Sequence, residues 1–401
     1  MTHPRERQKR QHEKTQRRQK RQKKKKKRNY SDAARLFRFI VRELSKHMPD
    51  ILIEHRLTLA MLVTGLLRSR DGRLAQIADK VRYEYKKPSL VSRFERFIKS
   101  SWVTVNVFYA PLVTQIVQAL EPGPVVLMID STKLGGRCLC LMVSVYYKNR
   151  ALPIAWLCFK GKKGHSSQEV QLKLLRQVKE LLPPDVSVVL VGDGEFDGSQ
   201  LLQWLTDQAQ WQFVCRTKST NRLYYQGRWL SLTDLVADLA LAPGQTAFLS
   251  DITFVESNPV TPLNLFIAWH QDDQQHIFFV TNCDTHQAAK QWYTKRFSIE
   301  TCFADLKSRG FNLDLTRIRT PDRLERLILA AAFAYYLVIL LGIESIFSGI
   351  FRQLVRTDAF YHSLTQLGFK FLDHILNEGD PFPLLDPLPQ PHLVNHIVIP
   401  P

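Results

Sequence analysis

The chain has 401 residues, is 45% hydrophobic and 10% aromatic, and carries a formal net charge of +19. That composition excludes a wholly disordered chain, and that length exceeds one ordinary core, so two or three globular domains are expected. About +13 of the charge sits in residues 1–28, which hold 15 Lys or Arg and two Glu, and the other 373 residues carry about +6.

Residues 1–30 read as a disordered basic tail, because a polycation without apolar residues cannot offset the entropy of ordering. Such a tail is drawn to phosphate backbones in a salt-dependent way, and a merely solubilising role is the alternative. No apolar signal region stands at the N-terminus, so a cytoplasmic protein is expected. The six cysteines (Cys138, Cys140, Cys158, Cys215, Cys283, Cys302) form no C-x-x-C pair and suit buried thiols in a reducing compartment.

Residues 31–120 read as a helical, DNA-binding domain. The stretch "SDAARLFRFIVRELSKHM" opens with Ser31 or Asp32 as an N-cap and keeps apolar positions at i, i+3 and i+4. "EHRLTLAMLVTGLLRSR" continues the pattern. "GRLAQIADKVRYEYKKPSLVSRFERFIKS" suits a helix-turn-helix whose second helix starts near Ser89 and carries Arg93, Arg96 and Lys99; a plain helical bundle has the same pattern.

The texture changes at "EPGP". Residues 121–220 read as β-β-β-α-β-α-β, a mixed sheet flanked by helices, with a "KNR" turn between the second and third strands. "GKKGHSS" is a basic loop without P-loop spacing, in which Lys162, Lys163 and His165 could touch DNA phosphate. Residues 221–288 are β-rich and resemble an insertion. Residues 289–345 return to helix and include "LILAAAFAYYLVILLGI", 17 residues that just reach membrane-spanning length. It follows a charged amphipathic segment, so a buried core helix and no membrane are expected. Residues 346–401 are a helical, Pro-rich and loosely packed tail.

Two acids end apolar strands, Asp130 after "VVLMI" and Asp193 after "VVLVG". Strand-ending acids are often turn formers, but two on neighbouring strands project together at one sheet edge. "DGEFDG" lacks the distal Glu of an EF-hand, with Trp204 in its place, so Glu195 and Asp197 are expected at the rim or as caps. Glu300 would complete a set of three. Clustered carboxylates need a cation, and hard oxygen donors suit Mg²⁺; two such ions serve phosphoryl transfer.

On one ideal helix through "YTKRFSIETCFADLK", Tyr293, Arg296, Glu300 and Lys307 share an arc of roughly 60°. Ile299, Phe303 and Leu306 flank it, which places Glu300 at the core boundary, whereas Asp305 falls on the far side. A surface Arg–Glu pair is the alternative reading.

Y-x2-R-x3-E-x6-K, met here by Tyr293, Arg296, Glu300 and Lys307, resembles the signature of DDE transposases of the insertion-sequence-four type. "VVLMIDST" and "VVLVGDGEF" are similar to that family's two aspartate motifs, and the resemblance covers roughly residues 85–345. It implies an RNase H-like core interrupted by a β-rich insertion, within an α/β fold that also has an N-terminal helical domain. It implies two Mg²⁺ ions (Mn²⁺ able to substitute) on Asp130, Asp193 and Glu300, with Arg296, Lys307 and Tyr293 on DNA phosphates. The implied partners are terminal inverted repeats, target DNA and a second copy of the chain, in a bacterial nucleoid. Some members hold a flipped base on an aromatic of the insertion, for which Trp269 or Phe278 is the candidate and sheet packing the alternative. A nuclease or resolvase on the same fold, and an inactive DNA-binding relative, are the rival functions.

Overall fold

Strands β1 (Val125–Leu134), β2 (Cys138–Tyr147) and β3 (Arg150–Lys160) run antiparallel in the computed structural model. Residues 32–81, 86–136, 138–161, 166–269, 275–356 and 362–394 are described; the basic tail, Lys162, Lys163 and His165 lie outside them. The β2–β3 hairpin turns on Lys148 and Asn149, with φ of 49° and 59°. Two consecutive left-handed residues make the tight turn whose twist matches the flanking strands.

Two crossovers through α6 (Gln168–Leu181) and α7 (Ser199–Gln203) then add β4 (Val188–Gly192) and β5 (Gln212–Thr217) parallel to β1. The spatial order β3-β2-β1-β4-β5, with β2 alone opposed, is an RNase H-like core. The β-rich segment extends this same sheet. Strand β10 (Ile277–Thr281) pairs antiparallel with β5, and β9 (Val260–Ala268), β8 (Thr246–Phe254), β6 (Arg222–Tyr225) and β7 (Arg228–Ser231) follow, giving ten strands in one sheet. The helix α8 (Leu232–Leu239) caps this end.

Strands β1 and β4 are buried along nearly their whole length, which requires cover on both faces. Helices α9 (His286–Thr294), α10 (Phe297–Ala304) and α11 (Pro321–Phe347) supply part of it. The apolar window of α11 is 94% buried inside the fold, so it is the core helix its sequence suggests. Each fully buried Leu or Ile there contributes ~1.5–3 kcal/mol. The N-terminal helices α1 (32–47), α2 (Ile53–Ser69), α3 (Leu74–Lys80), α4 (Lys87–Lys99) and α5 (Val105–Gln118) gather around it, with α2, α4 and α5 in direct contact. Beyond α12 (Phe351–Leu354), α13 (Leu364–Glu378) also packs on α11 and is tied to the end of α2 by the Arg70–Asp373 pair. Gly342 and Gly368 stand at the crossing, where a Cβ on either would strike backbone of the opposite helix.

The Pro-rich C-terminal stretch is not loose. Residues 380–390 lie across α1 and the end of β2, with backbone carbonyls accepting from Arg42 (2.6 Å, Pro383), Lys46 (3.0 Å, Leu385) and Tyr147 (2.8 Å, Pro389). Phe382 stacks on Phe39 at 4.6 Å. Prolines lack N–H groups but keep their carbonyls, so an extended strap of this kind is held by donors from elsewhere.

Candidate catalytic cleft

In the parallel β1–β4 ladder, Ile129 pairs with Gly192. One step further along the same register sets Asp130 beside Asp193. Asp130 does not end its strand, as its sequence suggested; β1 runs on through Ser131, Thr132 and Lys133 to Leu134, paired with β2. Ser131 and Thr132 are fully buried yet satisfied, the first by Glu195 and the second by Lys307. Asp193 follows the last residue of β4, and its Oδ1 accepts from the Glu195 N–H at 3.0 Å.

Glu300 sits on α10, but the single ideal helix is not realised. Helix α9 ends at Thr294, α10 starts at Phe297, and a wider π-type turn spans Asp305–Arg309 with Lys307 at φ −87°, ψ −119°. Lys307 leaves the helical path and reaches the Thr132 hydroxyl. The wheel also misplaced the burial. Arg296 is the buried member at 8% exposure, while the Glu300 side chain is 52% exposed. Tyr293 stands behind Arg296, its ring 4.5 Å from Phe279. Asp305 faces away as expected, buried against Thr365 (2.9 Å), Tyr335 and Arg150.

A cavity of about 450 Å³ brings together Asp130, Asp193, Glu300, Arg296, Thr132 and Lys307. Arg296 spans it, with Nη2 at 2.6 Å from Glu300 Oε1 and Nη1 at 3.7 Å from Asp130 Oδ2. Burial works against the Arg296 charge, but the facing Tyr293, Asp130 and Glu300 outweigh it and hold the pKa above its ordinary value. Among the described residues the buried Arg296 Nε has no hydrogen-bond partner. Among the described residues no group of three or more His, Cys, Asp or Glu converges closely enough to hold a metal ion. The donor set itself, three carboxylates on one cavity, suits a hard divalent cation; here a guanidinium supplies the compensating charge.

Glu195 lines a neighbouring cavity and is tied to several elements at once. Its carboxylate accepts from Ser131 Oγ (3.0 Å), Ser166 N (2.6 Å) and Ser166 Oγ, and its carbonyl accepts from Gln171 Nε2 (3.1 Å). It joins the residue after Asp130 to the start of α6. Asp197 is tied to Thr217 Oγ1 (2.7 Å) and Asn221 Nδ2 (2.9 Å), and burial pushes its pKa up.

The residues of α4 are mixed. Arg93 turns inward to Thr58 Oγ1 at 2.9 Å, whereas Arg96 and Lys99 are exposed, the latter 3.4 Å from Glu95. Trp269 and Phe278 line a second cavity, of about 930 Å³, that shares Asp193 with the first and also contains Arg216 and Lys218.

The transposase DDE domain matches residues 121–337, more than half of the chain, and the chain belongs to that family. The matched region spans all ten strands and runs into α11, so it contains the whole acidic cleft. Membership gives the chain a transposase role, acting on DNA, in a family that generally uses divalent metals. No curated protein and no solved structure matches it.

Proposed function

We propose that the chain is the transposase of an insertion sequence, of the Y-R-E-K type, which binds terminal inverted repeats, cuts the flanking phosphodiesters and joins the freed 3′-OH to target DNA. The observation that carries this reading is the meeting of Asp130, Asp193 and Glu300 with Arg296 and Lys307 in one cavity inside a transposase domain. Both steps are in-line displacements at phosphorus, so one site serves both.

Asp130, Asp193 and Glu300 would hold two Mg²⁺ ions, which supply an activated nucleophile and stabilise the leaving oxygen. The Arg296 guanidinium, which lines the cavity, suits a phosphate oxygen next to the cut, since a planar guanidinium can hold phosphate through two parallel bonds. Lys307, fixed at Thr132, provides a point charge on the other side. Tyr293 backs Arg296 and fixes its direction. The N-terminal helices would position the duplex, and two copies would act on paired ends.

The test uses an oligonucleotide with a pre-cut 3′-OH, Mg²⁺ and a plasmid target. Joined product is expected; hydrolysis without joining would make the protein a nuclease on this fold. Glu300→Ala should abolish cleavage and leave DNA binding largely intact. Cleavage that survives this change would overturn the site assignment.

A further inference from the structure

A second charged surface lies outside the acidic cleft, in a groove of about 620 Å³ between α3, α4 and the chain leading into α11. Arg73, Lys99, Arg317, Arg319 and Arg323 line it, against the one acid Glu95. Arg73 is paired with Asp71 and Lys99 with Glu95. Among the described residues Arg317, Arg319 and Arg323 have no ion pair and no side-chain hydrogen bond.

The placement of these three is built in. Thr316 and Ile318 turn inward on an extended stretch, and Arg317 and Arg319 between and after them are exposed. The stretch is anchored on the β1–β2 turn, where Gly136 N donates to Ile318 O at 3.0 Å. A Cβ at Gly136 would come within 2.9 Å of the Arg319 side chain, so glycine there lets that arginine lie against the turn. Three uncompensated guanidinium groups around one groove repel each other, and a polyanion relieves that repulsion.

We infer that this groove binds the phosphate backbone of duplex DNA away from the cut site, as a non-sequence-specific clamp shared by α4 and the catalytic domain. The inference rests on the transposase reading only for the identity of the polyanion. Strand β1 connects the two sites directly. At ~3.3 Å per residue, its turn lies roughly 13–20 Å from Asp130, a reach of ~4–6 base pairs along B-DNA. Planar guanidinium groups suit phosphate oxygens, and contacts of this kind set register without reading bases.

The experiment measures binding of a random-sequence duplex against salt for the wild-type chain and for Arg317→Ala/Arg319→Ala/Arg323→Ala. Weaker binding is expected, with a log K–log salt slope shallower by up to ~2.7, about 0.9 for each lost phosphate contact. The three Lys replacements should keep most of the slope. Unchanged affinity and slope would overturn the inference, as would competition by poly-glutamate as effective as that by DNA. If the triple variant melts early, Arg319→Cys carrying a photoreactive label gives an independent reading, with a duplex adduct expected and its absence decisive against the groove. Loss of the groove leaves cleavage and its dependence on Glu300 as a separate result, so the two readings fail separately.

Discussion

Arg296 and Glu300 meet at 2.6 Å across one helical turn, the guanidinium buried and the carboxylate half exposed. Arg296 also faces Asp130, so one cation holds two of the three acids. Arg296→Gln should therefore lower the melting temperature in metal-free buffer, because two carboxylates lose their shared counter-charge. Added Mg²⁺ should then raise that temperature more in the variant than in the wild type, since ligand binding stabilises the folded state by mass action. Thermal melts with and without Mg²⁺ decide this; an equal or smaller gain in the variant would show that Arg296 does not balance the acids.

Glu195 gathers bonds from three parts of the chain. Glu195→Ala leaves Ser131 Oγ and Ser166 N without their acceptor and should cost ~1–3 kcal/mol in urea unfolding. Displacement of Asp130 and Asp193 should lower cleavage on the order of 10-fold or more, as misplacement near 1 Å does. Glu195→Gln keeps an acceptor oxygen and should restore most of both. Equal activity in all three proteins would reduce Glu195 to a loop tether.

Asp197 tests the electrostatics of the neighbouring turn. Burial raises its pKa in the folded state, so ionising it opposes folding. Its favourable, protonated contribution is complete below the unfolded pKa of about 3.9 and is lost as pH rises through the folded value. Asp197→Asn keeps an acceptor for Thr217 and removes the charge. The variant should match or exceed wild-type stability at pH 7, and the difference should vanish in acid. Melting curves across that range would refute this if the variant were less stable at neutral pH and equally so in acid.

Gly368→Ala places a methyl group against the Val338 backbone carbonyl at the α11–α13 crossing. Backbone cannot swing aside as a flexible side chain can, so a loss of at least ~2–3 kcal/mol is expected from denaturant unfolding. A loss below ~1 kcal/mol would mean that the two helices separate readily.

Much of the catalytic domain was legible in the sequence because its signals are local. Short apolar runs marked β1, β4 and β5, and their alternation with helical patterns pointed to a mixed sheet flanked by helices. The buried state of "LILAAAFAYYLVILLGI" followed from the charged segment before it. What escaped depends on distant partners. Asp130 reads as a strand end, but pairing with β2 carries the strand on through Ser131 and Thr132, whose buried hydroxyls are met by Glu195 and Lys307, 64 and 175 positions away. The ideal wheel failed at Lys307 for the same reason, since a contact to β1 outweighs regular helix there. Glu195 carried no signal because its bonds span 29 and 64 residues. The Pro-rich strap was misread because its carbonyls answer donors on α1 and β2, which composition does not record.

The ten-stranded sheet has a mechanical consequence. Strand β10 is laddered to β5 from Phe278–Thr217 to Thr281–Val214, and β5 is laddered to β4, which delivers Asp193. The segment from β6 to β10 therefore cannot swing as a hinged flap without shearing those bonds. The outer strands and the edge that carries Asp193 belong to one continuous hydrogen-bonded sheet, and the segment acts as a brace for that edge.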